Sequence, residues 1–398
     1  MKTFSSIVAL LVSVFLLIAG SALASLIVPL RAKIEGFPEL SIGLFGSAYF
    51  IGMLGGTLVA PLIVRRAGHI RAFSAFTAGS MVSVILLPIF LSPWVWLVMR
   101  GCLGFAFAGL YGVIESWINS KATNANRGSL YGVYQIVTYA GTACGQLLVT
   151  LQTPSSYEAF SIAGALLALA IVPLAMTRVE PPLEPKAVRI RLGWLIRTSP
   201  VAALAAVAVG AANGAVWALG PVYALGLGLS AASVPWFTTA VVLGSAVGVY
   251  PAGRLSDRFD RRIVLALAAG LGACLEAALW RHQGGGPMLI LLGFAVGVAS
   301  FSLYTIAISH ANDRATGEQL LLVSSGMLFL YCVGAIVAPT IAASMMRLFG
   351  PSALFAQSAL VHLALALFTL WRIVRRAPAA AQRRAADEAA HRPEPGLP

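Results

Sequence analysis

The stretch Gly253-Arg254-Leu255-Ser256-Asp257-Arg258-Phe259-Asp260-Arg261-Arg262 puts a dense cluster of charges between two long apolar runs. A weaker copy, Pro61-Leu62-Ile63-Val64-Arg65-Arg66-Ala67-Gly68-His69-Ile70-Arg71, lies 192 positions earlier, and at that offset Arg66 falls on Arg258 and Arg65 on Asp257. A charge cluster repeated at about half the chain length indicates a duplicated membrane unit. Each cluster is expected to be a short loop joining two membrane helices.

Composition agrees. Of 398 residues, 59% are hydrophobic and only 10% charged, and the mean hydropathy is +0.87, far from the balance of a soluble domain. Apolar runs of roughly 20 residues satisfy their own backbone hydrogen bonds as helices in a bilayer. The alternating strands of a membrane barrel would not give such unbroken runs. Twelve runs are expected, at about 4–29, 40–64, 72–91, 95–119, 129–152, 157–177, 199–225, 231–252, 263–281, 286–309, 319–344 and 350–373. The sequence therefore predicts an all-α membrane protein of twelve transmembrane helices in two pseudo-symmetric six-helix halves, 1–177 and 199–374. Residues 178–198, rich in Pro and basic side chains, form a cytoplasmic linker, and 375–398 a disordered basic tail.

Lys and Arg concentrate in cytoplasmic loops. With the N-terminus inside, only Arg31, Lys33, Arg281 and Arg347 fall outside. Both termini are thus expected in the cytoplasm, in the inner membrane of a bacterium. The net charge of +13 follows from topology and affinity for lipid head groups, with no nucleic-acid partner needed. Lys2, the apolar run and Ala22-Leu23-Ala24 imitate a cleaved secretory signal. The run continues through Val28, and its loss would leave five helices in one half, so it reads as the first crossing. Cys102, Cys144, Cys274 and Cys332 lie inside predicted helices without metal-ligand spacing and read as buried small hydrophobes.

Gly253-x-x-x-Asp257-Arg258-x-x-Arg261-Arg262 resembles the loop signature between the second and third helices of each half in the major facilitator superfamily, and Arg100-x-x-x-Gly104 resembles that superfamily's fourth-helix motif. More narrowly, Ser47-Ala48-Tyr49-Phe50-Ile51-Gly52, Gly56-Thr57-Leu58, Glu115-Ser116, Asn126-Arg127-Gly128 and Tyr139-Ala140-Gly141-Thr142 resemble its YcaD-like branch. The superfamily's first loop usually carries Asp where this chain has Arg65. A conformational latch implied by the resemblance can therefore be carried by Asp257 in the second half, with Gly253, Arg258, Arg261 and Arg262, while Arg65, Arg66 and Gly68 mark the first-half copy. Asp257 is expected to pair with Arg258; the competing use of the arginines is to fix topology.

Charges inside membrane runs need a partner or a water-filled cavity. Arg100 and Glu115 are fifteen residues apart, about 22 Å along a helix, so they serve different depths. The resemblance associates the Arg100 position with proton coupling. Glu115 is a candidate proton carrier or, alternatively, a solvated helix end. In the second half, aligning Leu110-Tyr111 with Leu303-Tyr304 sets His310 opposite Trp117; Tyr304 and His310 are candidates, and His310 could titrate. Asn213 near Trp217 has the composition of a small-molecule cavity, whereas Asn213, Gln135 and Gln146 could instead hydrogen-bond between helices. Glu276 is expected to pair with Arg281. Gly101, Gly104, Gly109, Gly112, Gly141, Gly145, Gly293 and Gly297 suit close helix contacts.

No HExxH, GxSxG or Walker pattern is present, which argues against an enzyme and against ATP hydrolysis as an energy source. The expected function is a secondary active transporter of a small solute, proton coupled, with efflux by antiport the first expectation and metabolite uptake or facilitated diffusion the alternative. A non-transporting sensor or scaffold is the alternative of another class. No metal or cofactor is expected; the expected partners are a small-molecule substrate, protons and membrane lipid, and the expected state is a monomer.

Overall fold

The computed structural model describes residues 2–122, 126–176, 190–317 and 319–375, without the side chains of residues 2–6 and Arg127. The expected tail beyond residue 375 and residues 178–189 of the expected linker lie outside the described residues. Six helices make the first half: α1 (Lys2–Ile34), α2 (Glu39–Ala67), α3 (His69–Ile89), α4 (Pro93–Lys121), α5 (Arg127–Leu147) and α6 (Glu158–Ala175). Six make the second: α7 (Pro200–Gly226), α8 (Val234–Arg258), α9 (Arg261–Arg281), α10 (Pro287–Asn312), α11 (Gln319–Phe349) and α12 (Ala353–Arg375).

Among the described residues, eleven of these helices are long and apolar enough to cross a membrane. The exception, α5, is long enough but carries Gln135, Thr138, Tyr139, Thr142 and Gln146. Several of these face protein or a cavity, so α5 does not need the all-round apolar surface of a lipid-exposed helix. Its last turn tightens into a 3-10 segment, Leu148–Leu151.

The duplication read from the charge loops extends to the packing. A Cβ placed on Gly52 of α2 would fall 1.9 Å from the carbonyl oxygen of Gly101 on α4, and one on Gly104 would fall 1.9 Å from that of Tyr49. In the second half a Cβ on Gly244 of α8 would lie 2.0 Å from the Phe294 oxygen of α10, and one on Gly297 would lie 2.1 Å from the Val241 oxygen. Gly52 and Gly244 are 192 positions apart, as are Tyr49 and Val241. The α2–α4 and α8–α10 crossings are thus one backbone-to-backbone contact built twice, and only glycine permits it.

The halves meet through α2 with α11, α5 with α8 and α1 with α7. Among the described residues, two side-chain hydrogen bonds join them: Ser47 with Thr340 at 2.8 Å, and Thr239 donating to Gln146 at 3.1 Å. Gly43 sits against Pro339 and Ala343, and Gly46 against Ala218. These contacts lie at the end away from both chain termini. There, one apolar core runs from the first half into Leu219, Phe237, Ala342 and Phe355 of the second. At the termini's end the second half has its own core, including Val209, Leu265, Ile306, Val323 and Leu365. The halves are therefore joined at one end and separately packed at the other.

Two expectations change in detail. Of the cysteines only Cys332 is buried; Cys102, Cys144 and Cys274 face outward, where small apolar side chains suit lipid. The end of the expected linker is a short helix, Leu192–Thr198, whose Leu195 is buried in the second half's core. Arg314 donates to the Thr198 carbonyl at 2.9 Å and fastens this helix to the α10–α11 connection.

Candidate functional site

Two cavities are stacked between the halves. The first, of about 340 Å³, is lined by Tyr49, Phe50 and Arg100 with Thr138, Tyr139 and Thr142 of α5 from the first half, and by Trp217, Ser245, Phe301 and Tyr331 from the second. The other, of about 270 Å³, lies nearer the termini's end and is lined by His69, Glu115 and Ser116 of the first half and Ser324, Ser325 and Leu328 of α11. Met53 and Tyr111 line both.

Arg100 is 7% exposed. Its guanidinium lies over the Tyr49 ring at 4.8 Å from the centroid, and its Nε and Nη1 have no hydrogen-bond partner among the described residues. The close α2–α4 crossing at Gly52 and Gly104 brings Tyr49 and Arg100 together. Glu115 occupies the wall of the other cavity, one helical turn from Tyr111. The fifteen-residue spacing thus separates the two charges into different compartments. Beside Glu115, Ser116 reaches His69 Nε2 at 3.3 Å, and His69 packs on Trp117.

The other candidates are dispersed. Trp217 lines the first cavity and packs edge-on against Phe301 at 5.9 Å. Asn213, one turn earlier on α7, is buried away from both linings. Tyr304 stands behind the wall, edge-on to Tyr331 at 5.5 Å. His310 is buried at the termini's end of α10, in the electrostatic neighbourhood of Asp260, Arg262 and Arg314. Sequence reasoning missed the aromatic lining, Tyr49, Phe50, Tyr111, Phe301 and Tyr331. Inside apolar runs these rings look like ordinary lipid-facing or core residues; the available signal was the tyrosine hydroxyls, which need a polar environment.

The charge loop is built differently from the expected Asp257–Arg258 pair. Successive helical residues point about 100° apart, so they do not face each other. Asp257 instead pairs with Arg261 Nη1 at 3.0 Å, and Arg261 Nε pairs with Asp313 at 2.8 Å. Arg261 also donates to Ser256 Oγ at 3.1 Å. Asp260 caps α9, accepting from the Arg262 backbone at 2.9 Å and from its guanidinium at 2.8 Å. Burial pushes the Asp260 carboxyl up, but the hydrogen bonds and charge of Arg262 outweigh it and hold the group below its ordinary value. These pairs brace the loop within the second half. Arg258 is exposed, as are Arg65 and Arg66 of the first-half copy; Gly68 turns between α2 and α3 with φ 82°, while Gly253 has open space where a Cβ would be.

Glu276 does not pair with Arg281, which is exposed at the end of α9. Its carboxylate is 1% exposed and lies 2.8 Å from His362 Nδ1 of α12, with Ser300 of α10 donating to its other oxygen at 3.2 Å.

Two six-helix halves around cavities lined from both define a membrane transporter. The chain belongs to the major facilitator superfamily, whose family model matches residues 10–231 and 202–396. It is 27% identical over 348 residues to the MFS-type transporter YcaD of Escherichia fergusonii, covering 87% of this chain and 90% of that one. With YcaD of Escherichia coli it is 29% identical over 358 residues, covering 89% and 93%. The crystal structure of the nucleoside transporter NupG has the same fold, with a TM-score of 0.78 at 12% identity over 93% of this chain and 98% of that one.

Proposed function

We propose that the protein is a proton-coupled secondary transporter that carries a small solute across the bacterial inner membrane by alternating access, with efflux by proton antiport its direction. The observation that carries this reading is the pair of stacked cavities, with walls from both halves, beside an interface closed at one end. With the basic loops and both termini in the cytoplasm, this is the inward-facing arrangement. The first cavity is the solute site near the midplane, and rocking of one half against the other exposes it alternately.

Glu115 is the proposed proton carrier, because its cavity lies nearer the termini's end and shares Tyr111 and Met53 with the solute site. Arg100 tunes the solute site. The loop salt bridges around Arg261 are the proposed latch, holding α8, α9 and the α10–α11 connection as one unit during the movement.

The test is a solute panel in proteoliposomes with an imposed pH gradient. Gradient-driven movement that Glu115→Gln abolishes, while solute exchange survives, supports the coupling; undiminished accumulation by that variant overturns it. Flux toward the acidic compartment supports antiport, and flux away from it replaces efflux with uptake. Reporter fusions at the C-terminus test the orientation.

A further inference from the structure

We propose that the first cavity selects a monoanionic organic carboxylate with a flat apolar body, its carboxylate held by Arg100. The proposal rests on the transporter reading and names the substrate class of that site.

The argument begins with charge. Arginine keeps its proton under all ordinary conditions, and an uncompensated charge in a membrane interior is costly. Arg100 is almost fully buried, with Nε and Nη1 lacking partners among the described residues. The Tyr49 ring contributes a cation–π contact, which does not use the in-plane N–H donors. Among the described residues, no Asp or Glu lines this cavity; the carboxylate on the same helix, Glu115, lines the other. A carboxylate from the solute supplies what the protein does not, a counter-charge with acceptor oxygens for a guanidinium in the cavity wall.

The rest of the wall sets the body of the solute. Phe50, Trp217, Phe301 and Tyr331 offer ring faces and edges from both halves, while Thr142 and Ser245 offer hydroxyls. A dry cavity of about 150 Å³ accepts one benzene ring, so about 340 Å³ accommodates a solute of one or two rings. A second carboxylate would find no second cation among the described lining residues, which disfavours dianions and phosphate esters. An organic cation would meet Arg100 as a like charge.

The test uses purified full-length protein in lipid nanodiscs, with a panel of benzoate, 4-hydroxybenzoate, phenylacetate and 2-naphthoate. Their neutral amides, benzylammonium and phthalate serve as comparisons, and the readouts are thermal shift and tryptophan quenching. At least one monocarboxylate is expected to bind about tenfold or more tightly than its amide, the loss of a charge-assisted hydrogen bond. Arg100→Gln is expected to erase that preference, and Arg100→Lys to retain part of it. The comparison of acid with amide needs only the unaltered protein and survives a variant that fails to fold. Equal binding of acids and amides, preference for benzylammonium or phthalate, no response to any monocarboxylate, or an unchanged preference in a folded Arg100→Gln protein each overturns the proposal. Selective binding without flux in proteoliposomes would overturn the transporter reading and leave the anion site standing.

Discussion

His362 Nδ1 lies 2.8 Å from Glu276 Oε2, with neither side chain exposed by more than 1%. With Ser300 on the other carboxylate oxygen, the pair ties α12, α9 and α10 together inside the second half. Replacing either residue by Ala strands its partner and is expected to cost about 3–5 kcal/mol. Glu276→Leu combined with His362→Phe should recover much of that loss. Thermal unfolding of the single and double variants checks this; a double variant as unstable as the sum of the singles contradicts it.

The inter-half hydrogen bonds hold the interface closed at the end away from the termini. Gln146→Leu and Thr340→Val are each expected to weaken it by about 1 kcal/mol, shifting the equilibrium roughly fivefold toward the alternate state. A spin-label distance across α2 and α11 would report the change; an unaltered distance distribution in both variants contradicts it.

Glycine substitutions should divide sharply by position. Gly52→Val and Gly244→Val drive side-chain atoms into carbonyl groups and are expected to lose more than about 3 kcal/mol or to prevent folding. Gly112, with open space where a Cβ would be, should accept Ala and gain up to about 1 kcal/mol from helix propensity. Expression yield and thermal midpoint distinguish the two classes.

Asp260 gives the fold an acid-sensitive brace. Because its folded carboxyl titrates below the unfolded one, its stabilisation is complete above the unfolded value and disappears as pH falls through the folded value. Asp260→Asn should flatten that part of the acid-unfolding curve and also remove the carboxylate charge beside the buried Arg262. Melting midpoints from about pH 6 down to about pH 3, parent against variant, test this; parallel curves contradict it.

Asp257 should matter less to stability, because its side chain is 68% exposed. Asp257→Asn is expected to cost under about 1 kcal/mol, and Arg261→Gln more, since Arg261 holds Asp257, Asp313 and Ser256 at once. Chemical unfolding that ranks the two in the opposite order contradicts this.

The duplication was legible in the sequence because a charge loop stands out against apolar runs; the structure adds the glycine crossings, repeated at 192 residues for Gly52 and Gly244 and at 193 for Gly104 and Gly297. Arg100 and Glu115 were legible because charges inside a membrane run are scarce, and their spacing gave their separation in depth. The partner of Glu276 was not, since His362 lies 86 positions away on another helix, and only packing makes them neighbours. Asn213 misled for a related reason: four residues before Trp217 it shares that residue's helix face, but one turn along the axis takes it out of the cavity lining. For Asp257 the adjacent Arg258 was the obvious partner by sequence, but helix geometry gives the contact to Arg261.

The polarity of α5 bears on how the molecule is made. A segment with an exposed Gln135, a Gln146 that bonds to Thr239, and the hydroxyls of Thr138, Tyr139 and Thr142 on its cavity side partitions poorly into lipid on its own. Its neighbour α1 leaves the ribosome first and packs along α5 in the finished protein. Biogenesis therefore favours a route in which α1 waits at the translocon for α5, so that insertion of the fifth crossing is already an act of tertiary assembly.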